Sequence, residues 1–171
     1  DIPGIEESSA EDPHAGLRKI ARDIKSRVRA ATGLACSIGL TPNKLLSKLC
    51  SDLEKPDGLT ILTHADIPSR IWPLPARRIN GIGPKAAARL ETLGIKTIGE
   101  LAARNVLDLT DEFGANYAQW LHDAAHGRDE RGIVTHREAK SMSRETTFER
   151  NLHVRTDRKE LSAIFTRLCE Q

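Results

Sequence analysis

The sequence predicts an α+β fold in which a helix–strand–helix–strand layer precedes a set of short helices, and a strand and a helix follow. Three observations predict this order. Helical apolar stripes alternate with short apolar runs at first, the pattern becomes wholly helical from about His64, and a new pattern begins at Lys140. Segments are therefore predicted at residues 1–63, 64–127, 128–140 and 141–171.

The first helix and strand are predicted from capping residues and apolar spacing. Asp12-Pro13 is a typical helix start, because the carboxylate can cap the helix and proline suits its first position. An apolar stripe continues to about Ala31, and Gly33 ends the helix. The apolar run Leu34–Leu40 predicts a buried strand.

The second helix and strand repeat that order. Thr41-Pro42 predicts another helix start. The buried face of this helix is predicted to contain Leu45, Leu46, Leu49 and Leu53. The segment Lys55–Gly58 predicts a turn, and Leu59–Leu62 predicts the next strand. Helix, strand, helix and strand in succession are typical of an α/β layer.

Short helices are predicted after His64. One covers about Asp66–Ile71, one runs from a glycine hairpin to Leu93, and one covers about Asn116–His126 after a small turn at Thr97–Arg104. The last part of the chain starts with residues 128–140, which are charged and poor in apolar residues and therefore predict a linker. A strand at Thr146–Phe148 and a helix at Leu161–Leu168 follow it.

Charge is unevenly distributed, although the formal net charge is only +2. Residues 1–12 are acidic, whereas the basic residues between 18 and 29 are Arg18, Lys19, Arg22, Lys25, Arg27 and Arg29. Such a stripe favours a polyanionic partner, although a solvated helix face has the same pattern. The cysteines Cys36, Cys50 and Cys169 have no metal or redox spacing, which predicts reduced core thiols in a cytoplasmic protein. No signal peptide or membrane-spanning run is recognised, and no membrane partner is expected.

The most distinctive stretch, Arg77–Ala88, is a glycine hairpin that leads into a helix. Gly81 and Gly83 let a backbone approach a ligand closely, and Pro84 suits a first helical position. Free amides at a helix start, with Lys85 beside them, make a phosphate site. The stretch resembles the helix-hairpin-helix, a module with a helix on each side of the hairpin that holds one DNA backbone without reading sequence.

That resemblance implies the contacts. Phosphates are expected to meet the amides of Gly81, Ile82 and Gly83, and Lys85 and Arg78 are expected to add charge. Related hairpins often share a monovalent cation between carbonyls and phosphate, and the Ile82 carbonyl is the candidate here. Such contacts position a duplex and carry no base information.

Four blocks in order resemble the Y-family DNA polymerases. The blocks are Gly39–Gly58, Ile79–Gly99, Phe113–Asp129 and Lys140–Phe148. Together they cover almost the whole chain from Asp12 onward. The resemblance implies the tail of an α/β palm layer, a small all-helical helix-hairpin-helix thumb, and the first strand and helix of a little-finger domain.

The resemblance also implies roles for basic residues. Lys55 lies where the family meets the triphosphate of the incoming nucleotide. Lys44 and Lys48 are candidates for contact with template or primer phosphates, or members of a solvated face. Lys140 and Arg144 lie where the linker of the family crosses the DNA backbone.

The catalytic carboxylates of the family are expected outside this chain. They bind Mg²⁺ and comprise an aspartate near the N-terminus and an Asp-Glu pair, and Asp1-Ile2 resembles the residues just after that pair. No catalytic residue or metal ligand is therefore predicted here, and this part alone is predicted to be inactive. The parent is expected to be a monomeric, low-fidelity translesion DNA polymerase. Its expected partners are primer–template DNA, a deoxynucleoside triphosphate and a sliding clamp.

Two other functions stay open. One is a catalytically degenerate Y-family relative that serves as a DNA-binding scaffold. The other is a helix-hairpin-helix DNA glycosylase or lyase with Lys85 as its Schiff-base nucleophile, although the aspartate that such enzymes carry downstream is missing.

His122 and His126 are four residues apart but lack a third metal ligand, and Trp72 and Trp120 are predicted to lie in the core.

Overall fold

The structure is a computed structural model that describes residues 14–136, 141 and 143–170. The chain divides into two compact units, Asp1–Gly132 and Ile133–Gln171. Two predictions fall outside the described residues: the helix start at Asp12-Pro13 and the DNA contact at Lys140.

A small α/β layer opens the first unit. Its elements are helix α1 (Ala15–Thr32), strand β1 (Ile38–Leu40), helix α2 (Lys44–Leu53) and strand β2 (Leu59–Ile61). The two strands are parallel, with Gly39 opposite Thr60 at the centre of the register. Parallel strands need a crossover connection, and α2 provides it. The predicted helix–strand–helix–strand order is confirmed.

Strand β1 is shorter than the apolar run predicts. Only Ile38–Leu40 pairs with β2, and Leu34 is 68% exposed. The prediction of a buried strand is therefore wrong for residues 34–37. An apolar run indicates burial, but the length of a strand also depends on where its partner ends.

Helix α2 begins at a different cap from the predicted one. Asn43, and not Thr41-Pro42, is the N-cap, because its side-chain oxygen accepts a hydrogen bond of 3.0 Å from the Leu46 amide. The predicted apolar face is confirmed: Leu45, Leu46 and Leu49 are buried and Leu53 packs half-buried against the core. The face is tight against β1, since a Cβ added to Gly39 would lie 2.9 Å from that of Cys50.

Short helical elements fill the rest of the first unit. They are the 3₁₀ turns His64–Asp66 and Ala76–Arg78, the π-helical turn Ile67–Ile71, and the helices α3 (Pro84–Thr92), α4 (Ile98–Ala102), α5 (Val106–Phe113) and α6 (Ala115–Ala125). The predicted helix at Asn116–His126 is confirmed as α6. The predicted turn at Thr97–Arg104 contains α4, and α5 was not predicted.

One hydrophobic core joins the α/β layer to these helices. Leu46 of α2 and Leu121 of α6 are both fully buried and belong to the same cluster. Ile79 and Ile82, on either side of the hairpin tip, belong to it as well. Full burial of such a side chain stabilises a fold by about 1.5–3 kcal/mol, so these two residues fix the hairpin to a packed base.

The second unit contains helix α7 (Arg158–Glu170), which includes the predicted helix at Leu161–Leu168. No strand forms at Thr146–Phe148 in the described part of this unit, so that prediction is wrong. β-branched residues favour a strand only where another strand can pair with them. Arg150 donates two hydrogen bonds of 3.1 Å to Asp157, which fastens the preceding loop to the start of α7.

Candidate nucleic-acid interface

The glycine hairpin lies between a 3₁₀ turn and helix α3. The elements before the hairpin are short: the helix predicted at about Asp66–Ile71 is the π-helical turn Ile67–Ile71, and the 3₁₀ turn Ala76–Arg78 follows it. The tip is closed by a hydrogen bond of 3.0 Å from the Ile82 amide to the Ile79 carbonyl. The Ile82 amide is therefore already used inside the hairpin and does not point to a phosphate as expected.

Helix α3 begins with amides that lack partners. Gly83 is its N-cap and provides no side-chain cap, and Pro84 is the first helical residue. Within the described residues, the amides of Gly83 and Lys85 donate to no acceptor, as expected at an uncapped helix start. A Cβ added to Gly83 would meet no atom within 4 Å, so there is open space beside these amides.

Two cations accompany the free amides. Arg78 and Lys85 are both exposed, and neither forms an ion pair within the part of the chain that the structure describes. A helix N-terminus carries a partial positive charge that adds to theirs. The predicted combination of free amides and unpaired cations is therefore present at this hairpin, with the Gly83 and Lys85 amides as the donors.

Aromatic side chains of α5 and α6 support the hairpin from one side, and we call Phe113, Tyr117 and Trp120 the aromatic brace. The Tyr117 hydroxyl donates a hydrogen bond of 2.9 Å to the Gly81 carbonyl. The Trp120 ring lies so close to Gly81 that an added Cβ would come within 2.6 Å of it. Trp120 is half-buried and packs against the core as predicted, whereas Tyr117 was not predicted as a site residue.

A second basic cluster lies at the C-terminal end of α2. Asp52 lies 2.5 Å from the Lys55 ammonium and 3.0 Å from that of Lys48. The two lysines, Lys55 first, lower the pKa of Asp52 to about 2. The structure thus brings Lys48 and Lys55 together through a carboxylate that sequence reasoning missed, although the Lys48–Asp52 spacing of four residues is a helical pairing signal.

Lys44 has a different environment from Lys48, although both were predicted on one exposed face. Its ammonium donates a hydrogen bond of 2.6 Å to the Gly132 carbonyl. Next to it, the Asn43 amide group donates to the Gly127 carbonyl at 2.7 Å, and the Leu45 amide donates to Asp129 at 3.1 Å. The start of α2 is therefore bound to the segment that follows α6.

Part of the basic stripe on α1 has a structural partner. Lys25 forms an ion pair of 2.9 Å with Asp57 and also donates to the carbonyls of Asp57 and Gly58. Arg29 lies 3.7 Å from the same carboxylate, and the two cations, Lys25 first, lower the pKa of Asp57. These residues fasten α1 to the turn that bears Lys55.

Comparison with known proteins shows which protein family this chain is related to. A family model described as "DNA polymerase-iota, thumb domain" matches residues 77–129, and one described as "impB/mucB/samB family" matches residues 1–52. A DNA polymerase IV from Moorella thermoacetica is 42% identical over 142 residues, which are 82% of this chain and 35% of that protein. A DNA polymerase IV from Halorhodospira halophila is 43% identical over 150 residues, 88% of this chain and 40% of that protein.

A solved structure agrees with these matches. The crystal structure of DinB from Sulfolobus solfataricus superimposes with a TM-score of 0.58 and 29% identity, over 66% of this chain and 33% of that one. The thumb-domain match includes the whole hairpin and α3. The chain belongs to the Y family of DNA polymerases. This Y-family chain spans little more than a third of the length of the relatives it matches, 35% and 40% in the two examples above.

The Y-family relationship disfavours the glycosylase alternative, and the geometry does so independently. A Schiff-base lysine is activated by burial, whereas Lys85 is exposed at the surface. Among the described residues, His122 and His126 belong to no group of three or more His, Cys, Asp or Glu that could hold an ion. Instead, the His126 Nδ1 atom lies 2.8 Å from the His122 carbonyl at the helix end.

The remaining predicted contact of the Y-family chain, Arg144, is exposed in the second unit. Divalent metal ions serve polymerases of this kind, but no cluster of ligand side chains among the described residues fits such an ion. No helix of the described residues combines the length and apolar character needed to cross a membrane.

Proposed function

We propose that this chain is the part of a template-directed, low-fidelity translesion DNA polymerase that holds the DNA backbone. The observation that carries the proposal is the start of α3, where the free amides of Gly83 and Lys85 meet open space beside unpaired cations. Backbone amides and lysines bind phosphate whatever the base sequence. A polymerase that copies any template needs that kind of contact.

The second half of the proposal concerns the incoming nucleotide. Lys55, with Lys48 beside it, would neutralise the triphosphate of a deoxynucleoside triphosphate as a pair of point charges. Asp52 holds the two ammonium groups within reach of one anion, at 2.5 Å and 3.0 Å from its own oxygens. A bound triphosphate would then compete with this carboxylate for both lysines.

Other parts of the proposal rest on the family relationship. Lys44, Lys140 and Arg144 would add contacts to the DNA backbone, and Lys48 would do so only where no triphosphate holds it. Mg²⁺ would be held by carboxylates outside this chain, and a sliding clamp would bind the C-terminal tail of the parent. The parent would act as a monomer in the cytoplasm, without a membrane partner. A primer-extension assay tests the catalytic part of this proposal. It should use a protein as long as the relatives and a template that carries a lesion.

A DNA-binding assay with the 171-residue chain directly tests whether the chain holds the DNA backbone. Fluorescence anisotropy with labelled duplexes of unrelated sequence is expected to give equal affinities that fall steeply with salt. Lys85→Glu should weaken binding equally on all duplexes and lower the magnitude of the salt slope by about 1. Lys159→Glu is the matched control, since Lys159 is an exposed lysine of α7 to which no DNA contact is assigned. A strong preference for one sequence, or equal effects of the two substitutions, would contradict the proposal.

A further inference from the structure

We propose that Tyr117 is a positioning residue of the hairpin: it locks the peptide group between Gly81 and Ile82, so that the amides that follow are held ready for a phosphate. This inference rests on the proposed function, because it assigns a task to the support of the same DNA contact. The brace residues are not themselves expected to touch DNA.

The peptide group between Gly81 and Ile82 is held at both of its ends. Its carbonyl oxygen accepts the hydrogen bond of 2.9 Å from the Tyr117 hydroxyl. Its amide donates the bond of 3.0 Å to the Ile79 carbonyl. Because a peptide group is planar and rigid, rotation of this unit would break both hydrogen bonds together. The two bonds therefore select one orientation.

This peptide group needs such a lock more than its neighbours do. Gly81 has a φ of +116°. Glycine can change easily between this region and negative φ values, because it has no Cβ. Ordering a residue costs conformational entropy, and glycine has the most of it to lose. Without the hydrogen bond from Tyr117, DNA binding would have to order this peptide group and would be weakened by the entropy cost. Because the group is already ordered in the free protein, the affinity for DNA is higher.

The tyrosine is itself held in place. Its ring stacks on Trp120 with ring centres 5.2 Å apart and an angle of 19° between planes, and the Phe113 ring lies 5.9 Å away at an angle of 52°. Burial raises the pKa of the Tyr117 hydroxyl, so the group stays protonated and remains a donor at neutral pH. The brace thus presents a donor of fixed position to the Gly81 carbonyl.

The two hydrogen bonds of the lock also determine which backbone groups of the hairpin remain available to contact DNA. The Gly81 carbonyl and the Ile82 amide are both used inside the protein. Among the described residues, the next amides along the chain, those of Gly83 and Lys85, have no acceptor and remain available for a phosphate. Tyr117 therefore acts on binding through these backbone groups and carries no charge to the DNA.

Duplex binding by Tyr117→Phe in the 171-residue chain tests the lock, at a temperature well below the unfolding midpoint. The loss of one orienting hydrogen bond should raise the Kd roughly threefold to tenfold. The salt slope should stay unchanged, because no cation is removed. Thr110→Val is the matched control: it removes a hydroxyl that donates to the Val106 carbonyl at 2.9 Å within α5, and its Kd should equal that of the wild type.

Amide hydrogen exchange provides a second readout that does not involve DNA. Tyr117→Phe should speed exchange at the Ile82 amide, while the amides of α2 keep their rates. A Kd equal to that of the wild type, a reduced salt slope, or an unchanged Ile82 exchange rate would each overturn the lock. Failure of the wild-type chain to bind DNA, or a normal Kd for Lys85→Glu, would instead overturn the proposed function on which the lock rests.

Discussion

The carboxylate of Asp129 accepts a hydrogen bond of 3.1 Å from the amide of Leu45, although the two residues lie 84 positions apart in the sequence. Leu45 is in the first turn of α2, where amides have no partner within the helix. Arg131 donates two hydrogen bonds, of 2.7 Å and 2.9 Å, to the same carboxylate and so orients it. One side chain thereby connects the α/β layer to the segment after the last thumb helix.

Removal of this connection should lower stability. We expect Asp129→Ala to reduce the free energy of unfolding by about 1–2 kcal/mol, because a buried helix amide loses its acceptor. The side chain of Asp129 is only 6% exposed, so water cannot readily replace it. Urea denaturation measures the change. Asp111→Ala, at an exposed acid of α5, serves as control and should unfold within about 0.5 kcal/mol of the wild type.

The same carboxylate should give stability a dependence on pH. The Arg131 side chain above all, with the amides of Arg131 and Leu45, lowers the pKa of Asp129 below its ordinary value of 3.8. The folded state then binds a proton less readily than the unfolded state. This contribution is therefore complete above the unfolded pKa and is lost as the pH falls through the lower, folded pKa.

Urea denaturation between about pH 6 and about pH 2 measures this dependence, with Asp129→Asn as the variant that cannot titrate at this site. The difference in unfolding free energy between wild type and variant should be constant at the upper end of this pH range. It should shrink once the pH falls below the ordinary carboxyl pKa. A difference that stays constant over the whole range would show that the Asp129 charge does not stabilise the fold.

The lysine pair should bind a polyphosphate. Inorganic triphosphate, used as a probe, should raise the melting temperature of the wild-type chain by about 2–4 °C, because it binds the folded state only. Lys55→Gln should remove most of this shift, since Lys55 is one of the two ammonium groups that share Asp52. Lys159→Gln, at an exposed lysine of α7, should keep the shift in full. A shift that is equal in both variants would refute a specific triphosphate site at Lys55.

Much of the fold could be predicted because its signals are local. Apolar spacing and the glycine at Gly33 predict α1 and its end, and the leucines of α2 are buried as their spacing indicates. Helix α5 could not be predicted in the same way, because its apolar residues alternate with acidic ones over only eight residues. Its start depends on a cap, Asn105, whose side chain accepts from the Leu107 amide at 3.0 Å.

The candidate site shows the same limit. The residues of the hairpin are adjacent in sequence, and glycine, proline and lysine in that order predict the uncapped helix start that the structure shows. Tyr117 and Asp129 contact the hairpin and α2 from distant positions, 36 and 84 residues away. Such contacts depend on how helices pack, and no local pattern encodes them.

Gly81 should tolerate no side chain. Gly81→Ala should lower the free energy of unfolding by about 1–3 kcal/mol, since a φ of +116° is strained for alanine and its Cβ would meet Trp120 at 2.6 Å. Thermal unfolding measures the loss, and a change in Trp120 fluorescence reports displacement of the ring. Gly132→Ala is a suitable comparison, because a Cβ there meets nothing within 4 Å. Equal stability of the two variants would contradict the close packing of the brace.

Gly83 should respond to substitution in the opposite way. It is the N-cap of α3, with a φ of −76° that any residue adopts and open space around it. Gly83→Ser should stabilise the chain by a few tenths of a kcal/mol to about 1 kcal/mol, because a serine hydroxyl can accept from the free amides of the first turn.

The same hydroxyl would occupy the amides that we assign to phosphate, so Gly83→Ser should bind duplex DNA more weakly although it is more stable. Thermal unfolding and anisotropy titration on the same sample measure both effects. Gly132→Ser, at a glycine that precedes no helix and has no positive φ or atom within 4 Å of an added Cβ, should gain no stability and keep the wild-type affinity. If Gly83→Ser gained stability and also kept full affinity, the free amides of α3 would not be the phosphate contact.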